Sequence, residues 1–263
     1  MRYIVDHDFH IHSQISLCSG DPKQIPERIL EYAKENGLNK ICITDHFWDA
    51  SVDGASDWYS KQDYEHIAKA LPLPQSEGIE FLFGCETELD RFLTLGISRE
   101  NIEKFDFVII PTTHLHMSGF TIDGEATLAE RAEAYVSRFD AVLCMDLPFY
   151  KIGIAHLTCP LIASKEWQDH LTVLDMIPDS EFERLFIKAK NVGVGIELNF
   201  FPSRYDEADL DRVLRPYRIA KKCGCKFYFG SDAHQEKSLG GCIARANTIV
   251  DLLDLEENDK FTF

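Results

Sequence analysis

Apolar residues come in short continuous runs, separated by longer stretches where they recur at helical spacing. Seven runs predict buried strands, over residues 4–9, 40–44, 80–83, 105–110, 151–155, 192–198 and 226–229. Runs of this length without polar alternation suit parallel strands covered on both faces. The helical pattern is clearest over Pro26–Asn36. There Ile29, Leu30 and Ala33 share a face, Pro26 stands at the start and Gly37 supplies the stop. Further helices are predicted within 128–150, with room for more than one, and over 181–191, 207–222 and 241–255. Residues 49–60 and 111–127 are polar and predict loops. Strands alternating with helices over this length predict an α/β fold, a barrel-like parallel sheet in a single domain over residues 1–263.

Composition supports this and narrows the function. An apolar fraction of 45% can fill a sizeable core and is not that of a disordered chain. The N-terminus enters a strand at once, without a charged-then-apolar leader. No stretch approaches the roughly 18 apolar residues of a membrane span. The expectation is a soluble, unexported, cytoplasmic protein with no membrane partner. The eight cysteines are spread along the chain with no Cys-x-x-Cys pair, which predicts buried reduced thiols rather than a disulfide framework. The net charge of −17 disfavours long nucleic acids and anionic membranes. It leaves room for an anionic substrate, because bound divalent cations reverse the local field.

Histidines and acids recur at the ends of the predicted strands. The first ends in Asp8-Phe9-His10-Ile11-His12 and the second in Thr44-Asp45-His46. The third leads to Gly84-Cys85-Glu86, the fourth to Thr113-His114 and the fifth to His156. The sixth runs through Glu197 and Asn199, and the seventh ends in Gly230-Ser231-Asp232-Ala233-His234. In a parallel barrel such ends converge on one rim, where active sites lie. His10 and His12, two apart on extended chain, project to one side and can bind one cation together. Mixed imidazole and carboxylate suits zinc, manganese or iron rather than calcium. Glu86 is the natural carboxylate to bridge two cations. Such a cluster lowers the pKa of bound water to about 7 and so supplies a hydroxide nucleophile.

These segments together resemble the polymerase and histidinol phosphatase (PHP) superfamily of metal-dependent phosphoesterases, from Asp8-Phe9-His10-Ile11-His12-Ser13 to Gly230-Ser231-Asp232-Ala233-His234. The resemblance implies a distorted, TIM-like, seven-stranded (β/α) barrel holding two or three divalent metal ions (Zn, Mn or Fe). His10, His12, Glu86 and Asp232 would hold one cation. Glu86 would bridge to a second, held also by His114 and His156. His46 and His234 would hold a third, completed by Asp21 or alternatively Cys18. Glu86, Asp232 and His234 would also belong to the catalytic set, with Arg204 placed to reach substrate phosphate. Arg91, Arg131 and Arg138 compete for that role. His116 is a further pocket candidate, Asp45 would orient a neighbour, and His7, His66 and His170 match no motif.

The function implied is hydrolysis of a small phosphomonoester, with histidinol phosphate one candidate substrate. The alternatives are a phosphodiesterase or nuclease acting on nucleotides or DNA ends, and a metal-stabilised binding domain without turnover. Loops 49–60 and 115–127 are where specificity would lie.

Overall fold

A computed structural model describes residues 1–163 and 166–263. Its strands are β1 (His7–Ile11), β2 (Lys40–Ile43), β3 (His46–Phe47), β4 (Glu80–Phe83), β5 (Cys85–Thr87), β6 (Val108–Pro111), β7 (Ile152–Ala155), β8 (Gly195–Leu198) and β9 (Lys226–Phe229). Its helices are α1 (Pro26–Asn36), α2 (Tyr64–Ile67), α3 (Arg99–Ile102), α4 (Leu128–Cys144), α5 (Asp169–Met176), α6 (Asp179–Val192), α7 (Glu207–Cys223) and α8 (Cys242–Leu252).

The strands are parallel and lie in two sheets, in the orders β1-β2-β4 and β3-β5-β6-β7-β8-β9. This corrects the expected seven-stranded closed barrel: among the described residues there are nine strands in two sheets. The α/β class and the parallel pairing stand. The difference arises because two predicted strand ends break into separate pieces. The chain leaves β2 at Thr44-Asp45 and resumes as β3, and leaves β4 at Gly84 and resumes as β5. A Cβ on Gly84 would lie 2.4 Å from the Phe107 carbonyl oxygen and 2.7 Å from Cys42 Sγ, so the chain crosses there at a closeness only glycine allows.

Backbone hydrogen bonds connect the sheets at both margins. Asp106 donates to Phe83 O on one side, while on the other Asp232 donates to His10 O and His12 to Ala233 O. Strand residues alternate between two apolar clusters. Ile41 and Ile43 join the large one, with the helices, and Cys42 joins a smaller one with Phe107, Tyr228 and Phe261. β1 loses register with β2 between Asp8 and Ile11, and the alternation changes there, with Phe9 in the small cluster and Ile11 in the large one. Such irregularities re-aim side chains. Here they bring His10 and His12 to one point.

Candidate metal centre

His10 lies on β1, His46 on β3 and Glu86 on β5, while His12, His156 and Asp232 follow β1, β7 and β9 directly or within a few residues. Their distal atoms converge. His10 Nε2 and His12 Nε2 are 3.1 Å apart. From Glu86 Oε2 they stand 3.5 and 3.3 Å, and from Asp232 Oδ1 3.4 and 3.2 Å. Bonds of about 2.0–2.2 Å in a tetrahedron separate neighbouring donors by about 3.3–3.6 Å. These five separations are close to the edge length of one coordination tetrahedron. Glu86 Oε1 in turn lies 3.5 Å from His156 Nε2. Among the described residues three overlapping groups could each hold a metal ion: His10, His12 and Glu86; Glu86, His114 and His156; and His12, His46 and His234.

Unpaired atoms support the fit. Glu86 Oε1 and His46 Nδ1 are buried without a hydrogen-bond partner, although His46 Nδ1 comes within 3.0 Å of Glu86 Oε2. A buried orphan of this kind costs about 1–3 kcal/mol. Divalent cations bound in these groups would satisfy both atoms.

The opposite ring nitrogens are engaged by the surrounding protein. Glu197 Oε1 accepts from His10 Nδ1 at 2.6 Å, and its Oε2 accepts from the His156 amide at 2.7 Å. Glu88 accepts from His114 Nδ1 at 2.9 Å and is itself held by Arg138. Ser16 donates its hydroxyl hydrogen to Asp45, so the same oxygen accepts from His12 Nδ1, 3.1 Å away. Thr113 Oγ1 meets His156 Nδ1 at 2.8 Å, and His234 Nδ1 donates to Asp232 O at 2.9 Å. Fixing Nδ1 in this way leaves Nε2 as the free donor atom and sets the ring plane.

Charge is sorted within the cluster. Burial alone would depress the His12 pKa, but Asp232 and Glu86 reverse this and carry it to about 9. His10 goes the same way under Glu197, Asp232 and Glu86, against burial. Burial opposes ionisation of Glu86, yet His46 and His10 hold it well below the carboxylate range; Asp232 is held down by His10 and His234. Burial pushes His114 down to about 3 and His234 to about 4, which leaves both neutral at pH 7. His156 and Asp232 also carry positive φ angles of 27° and 54°, uncommon for residues other than glycine and typical of functional sites.

The PHP domain family model matches residues 8–200. The chain belongs to the PHP domain family. With its histidine–carboxylate cluster, this PHP domain is a metal-dependent phosphoesterase. No curated protein matches the sequence. Among solved structures it is similar to the histidinol phosphate phosphatase of Lactococcus lactis subsp. lactis Il1403, a structure containing zinc, L-histidinol and phosphate. That similarity has 17% identity and a TM-score of 0.61, over 98% of this chain and 99% of the other. A protein of Listeria monocytogenes named as a candidate histidinol phosphatase matches with 16% identity and a TM-score of 0.57, over 89% and 97% of the two chains. At these identities the likeness is one of fold.

Not every residue singled out from the sequence joins the PHP cluster. Asp21 is not brought into any of the three groups; its oxygens accept from the Lys23 and Glu236 amides, which makes it a turn and helix-start residue. Cys18 lines the cavity beside His46 and His234 without entering a group either. Arg204 is exposed, stacks on Phe201 at 4.3 Å, and lines a cavity of about 280 Å³ together with His156 and Asp232. Arg138 is committed to Glu88, Arg131 to the carbonyls of Leu115 and Ile162, and Arg91 to Asp123, so none competes with it. Asp45 ties Ser13 and Ser16 into the turn after β1. His116 stands edge-on to His114 at the cavity wall. His7, His66 and His170 make hydrogen bonds away from the cluster, His7 accepting from the Phe229 amide. The sequence reading gave Glu197, Glu88 and Thr113 no role. Glu197 was the one with a signal, a lone carboxylate inside an otherwise apolar strand.

Among the described residues no helix is long and apolar enough to cross a membrane.

Proposed function

We propose that this PHP domain hydrolyses small phosphomonoesters at a centre of two or three Zn, Mn or Fe ions. His10, His12, Glu86 and Asp232 would hold the first ion, Glu86, His114 and His156 the second, and His46 and His234 with His12 a third. The observation that carries the reading is the convergence of Glu86 Oε2 and Asp232 Oδ1 on the paired Nε2 atoms of His10 and His12, at 3.2–3.5 Å.

Divalent cations at such a centre neutralise phosphate charge and lower the pKa of bound water towards 7. The chain's own groups do the rest. Glu197, Glu88, Thr113 and Ser16 fix the histidine rings, and Asp45 fixes Ser16. Arg204, which lines the cavity of about 280 Å³ together with Asp232, would hold the nonreacting oxygens of a dianionic monoester. Histidinol phosphate is one candidate substrate.

The test is to load the protein with manganese or zinc and measure phosphate release from a monoester panel beside bis-p-nitrophenyl phosphate and a short DNA. Turnover of monoesters in preference to the diester is expected. Preference for the diester or the DNA would replace this reading with a phosphodiesterase, and metal uptake without any turnover would replace it with a binding domain.

A further inference from the structure

The cavity lined by Cys18 measures about 540 Å³ and opens on the cluster beside His46, His114 and His234. Trp58 and Tyr59 from the loop at residues 56–59, Met117 and Phe120 from the loop at 116–120, and Leu161 form its aromatic and apolar wall. The rings brace one another. Tyr59, buried, meets Trp58 edge-on at 4.8 Å and Phe120 at 5.5 Å, and Trp48 backs both Tyr59 and Phe120 at 5.9 and 5.5 Å. Trp58 and Phe120 are only half-buried, so part of each ring remains open to the cavity. The Trp58 ring centroid stands 5.1 Å from that of His46. The apolar wall thus begins one ring away from the centre where an ester bond would be cut.

Acidic groups in this cavity are few. Among the described residues Glu86 and Asp232 are the only carboxylates lining it, and both are turned to the histidines. No acid remains to pair with an ammonium group on a ligand, and burying an unpaired cation is costly. Ser56 and Ser118 offer hydroxyls that could hydrogen-bond to ring substituents. The size suits a ring-bearing ester: binding cavities run from about 300 to 1,000 Å³, and one of about 150 Å³ already admits benzene.

We propose that this cavity selects phosphomonoesters whose leaving group carries an uncharged planar ring, with Trp58 and Phe120 as the specificity-determining residues. The inference rests on the phosphomonoesterase reading above and adds the class of leaving group. An aliphatic ammonium group is the class it rejects, so this inference removes histidinol phosphate, whose alcohol carries one, from the candidate substrates.

The experiment uses the metal-loaded protein and ligands that separate ring recognition from leaving-group reactivity. Benzyl, ethyl and 2-aminoethyl phosphate are compared as substrates, because all three leave as alkyl alcohols. Benzylphosphonate, methylphosphonate and 2-aminoethylphosphonate are compared as ligands by calorimetry. Burial of a phenyl ring predicts a preference of roughly 10- to 100-fold for benzyl over the small ester, in both kcat/KM and affinity. The 2-aminoethyl compounds should fall at or below the ethyl and methyl ones. In Trp58→Ala and Phe120→Ala the benzyl-to-small ratio should fall, and benzylphosphonate should change the tryptophan fluorescence of the parent but less so in Trp58→Phe. Hydrolysis of all three esters at similar kcat/KM, or a preference for the 2-aminoethyl ester, overturns this inference and leaves the phosphomonoesterase reading standing. Failure to hydrolyse or bind any of them overturns both. The parent ratios decide the matter even if a variant does not fold.

Discussion

At the scale of single residues, the cluster is organised by groups behind the histidine rings, Glu197 above all. It is fully buried, holds His10 through one oxygen and the His156 backbone through the other, and so sets two ligand positions from different strands. Glu197→Gln keeps the shape but removes the charge that helps fix the His10 tautomer. Partners of this type are worth about 10- to 100-fold in metal affinity. A competition assay with a metal indicator should show a loss of that size with the fold retained, and an unchanged affinity would reduce Glu197 to a packing role. Arg204 makes the complementary case, because it touches none of the proposed ligands. Losing a charge-assisted hydrogen bond costs about 1.5–3 kcal/mol. Arg204→Ala should therefore lower kcat/KM for monoesters roughly 10- to 200-fold, spare metal content and affect diesters less. Equal kinetics in variant and parent would leave Arg204 a surface residue.

At the scale of elements, Gly230 shows why the segment after β9 reads Gly-Ser-Asp. A Cβ there would lie 2.0 Å from Glu197 Oε1 and 2.6 Å from His10 Cβ, so the glycine leaves room for the pair that orients the cluster. Gly230→Ala should displace Glu197, cost about 1–3 kcal/mol in thermal unfolding and lower metal content; unaltered melting and metal content would show that Glu197 moves aside without consequence. Elements with strong local signals were legible from the sequence: α1 occupies Pro26–Asn36 and stops at Gly37, which adopts the left-handed conformation a helix stop needs. The strand predicted over 192–198 is shorter, Gly195–Leu198, because Val192 closes α6 and Gly193 caps it; an apolar run cannot by itself distinguish a helix end from a strand. The first strand begins at His7 rather than residue 4, since Ile4 is exposed. α5 was missed, and so were the breaks before β3 and β5. Those breaks depend on which backbones approach one another, and no local pattern records that. The proposed ligand residues could be singled out because each follows a predicted strand. Glu197 stood out as a carboxylate in an apolar strand, but which histidines it and Glu88 hold depends on contacts 26 to 187 residues away in sequence, which no local pattern records.

At the scale of the whole molecule, the cluster lies where the two sheets meet. His10 comes from the three-stranded sheet, Glu86 and His46 from the six-stranded one, and Asp232 from the segment that hydrogen-bonds back to β1. A cation held by them would tie the sheets together, so metal binding and stability should be linked. The sign of the pH dependence follows from His12. Its folded-state pKa of about 9 stands above the ordinary value of about 6.5. In protein stripped by a chelator, its pairing with Asp232 and Glu86 is fully stabilising below about pH 6.5 and is lost as pH rises through about 9. In loaded protein the cation takes the proton's place, and binding must displace that proton, so affinity should rise by up to about tenfold per pH unit for each proton displaced. A ligand at about 100 times its Kd adds about 2.7 kcal/mol, and in a domain of this size each kcal/mol moves Tm by about 2–4 °C. Calorimetric melts with manganese and with chelator should therefore differ by roughly 5–10 °C near neutrality. The gap should widen between about pH 6.5 and pH 9, and titration with metal near pH 7 should release protons into the buffer. A gap that does not widen over this range, or metal uptake with no proton release, would show that the histidines are already unprotonated before the cation arrives.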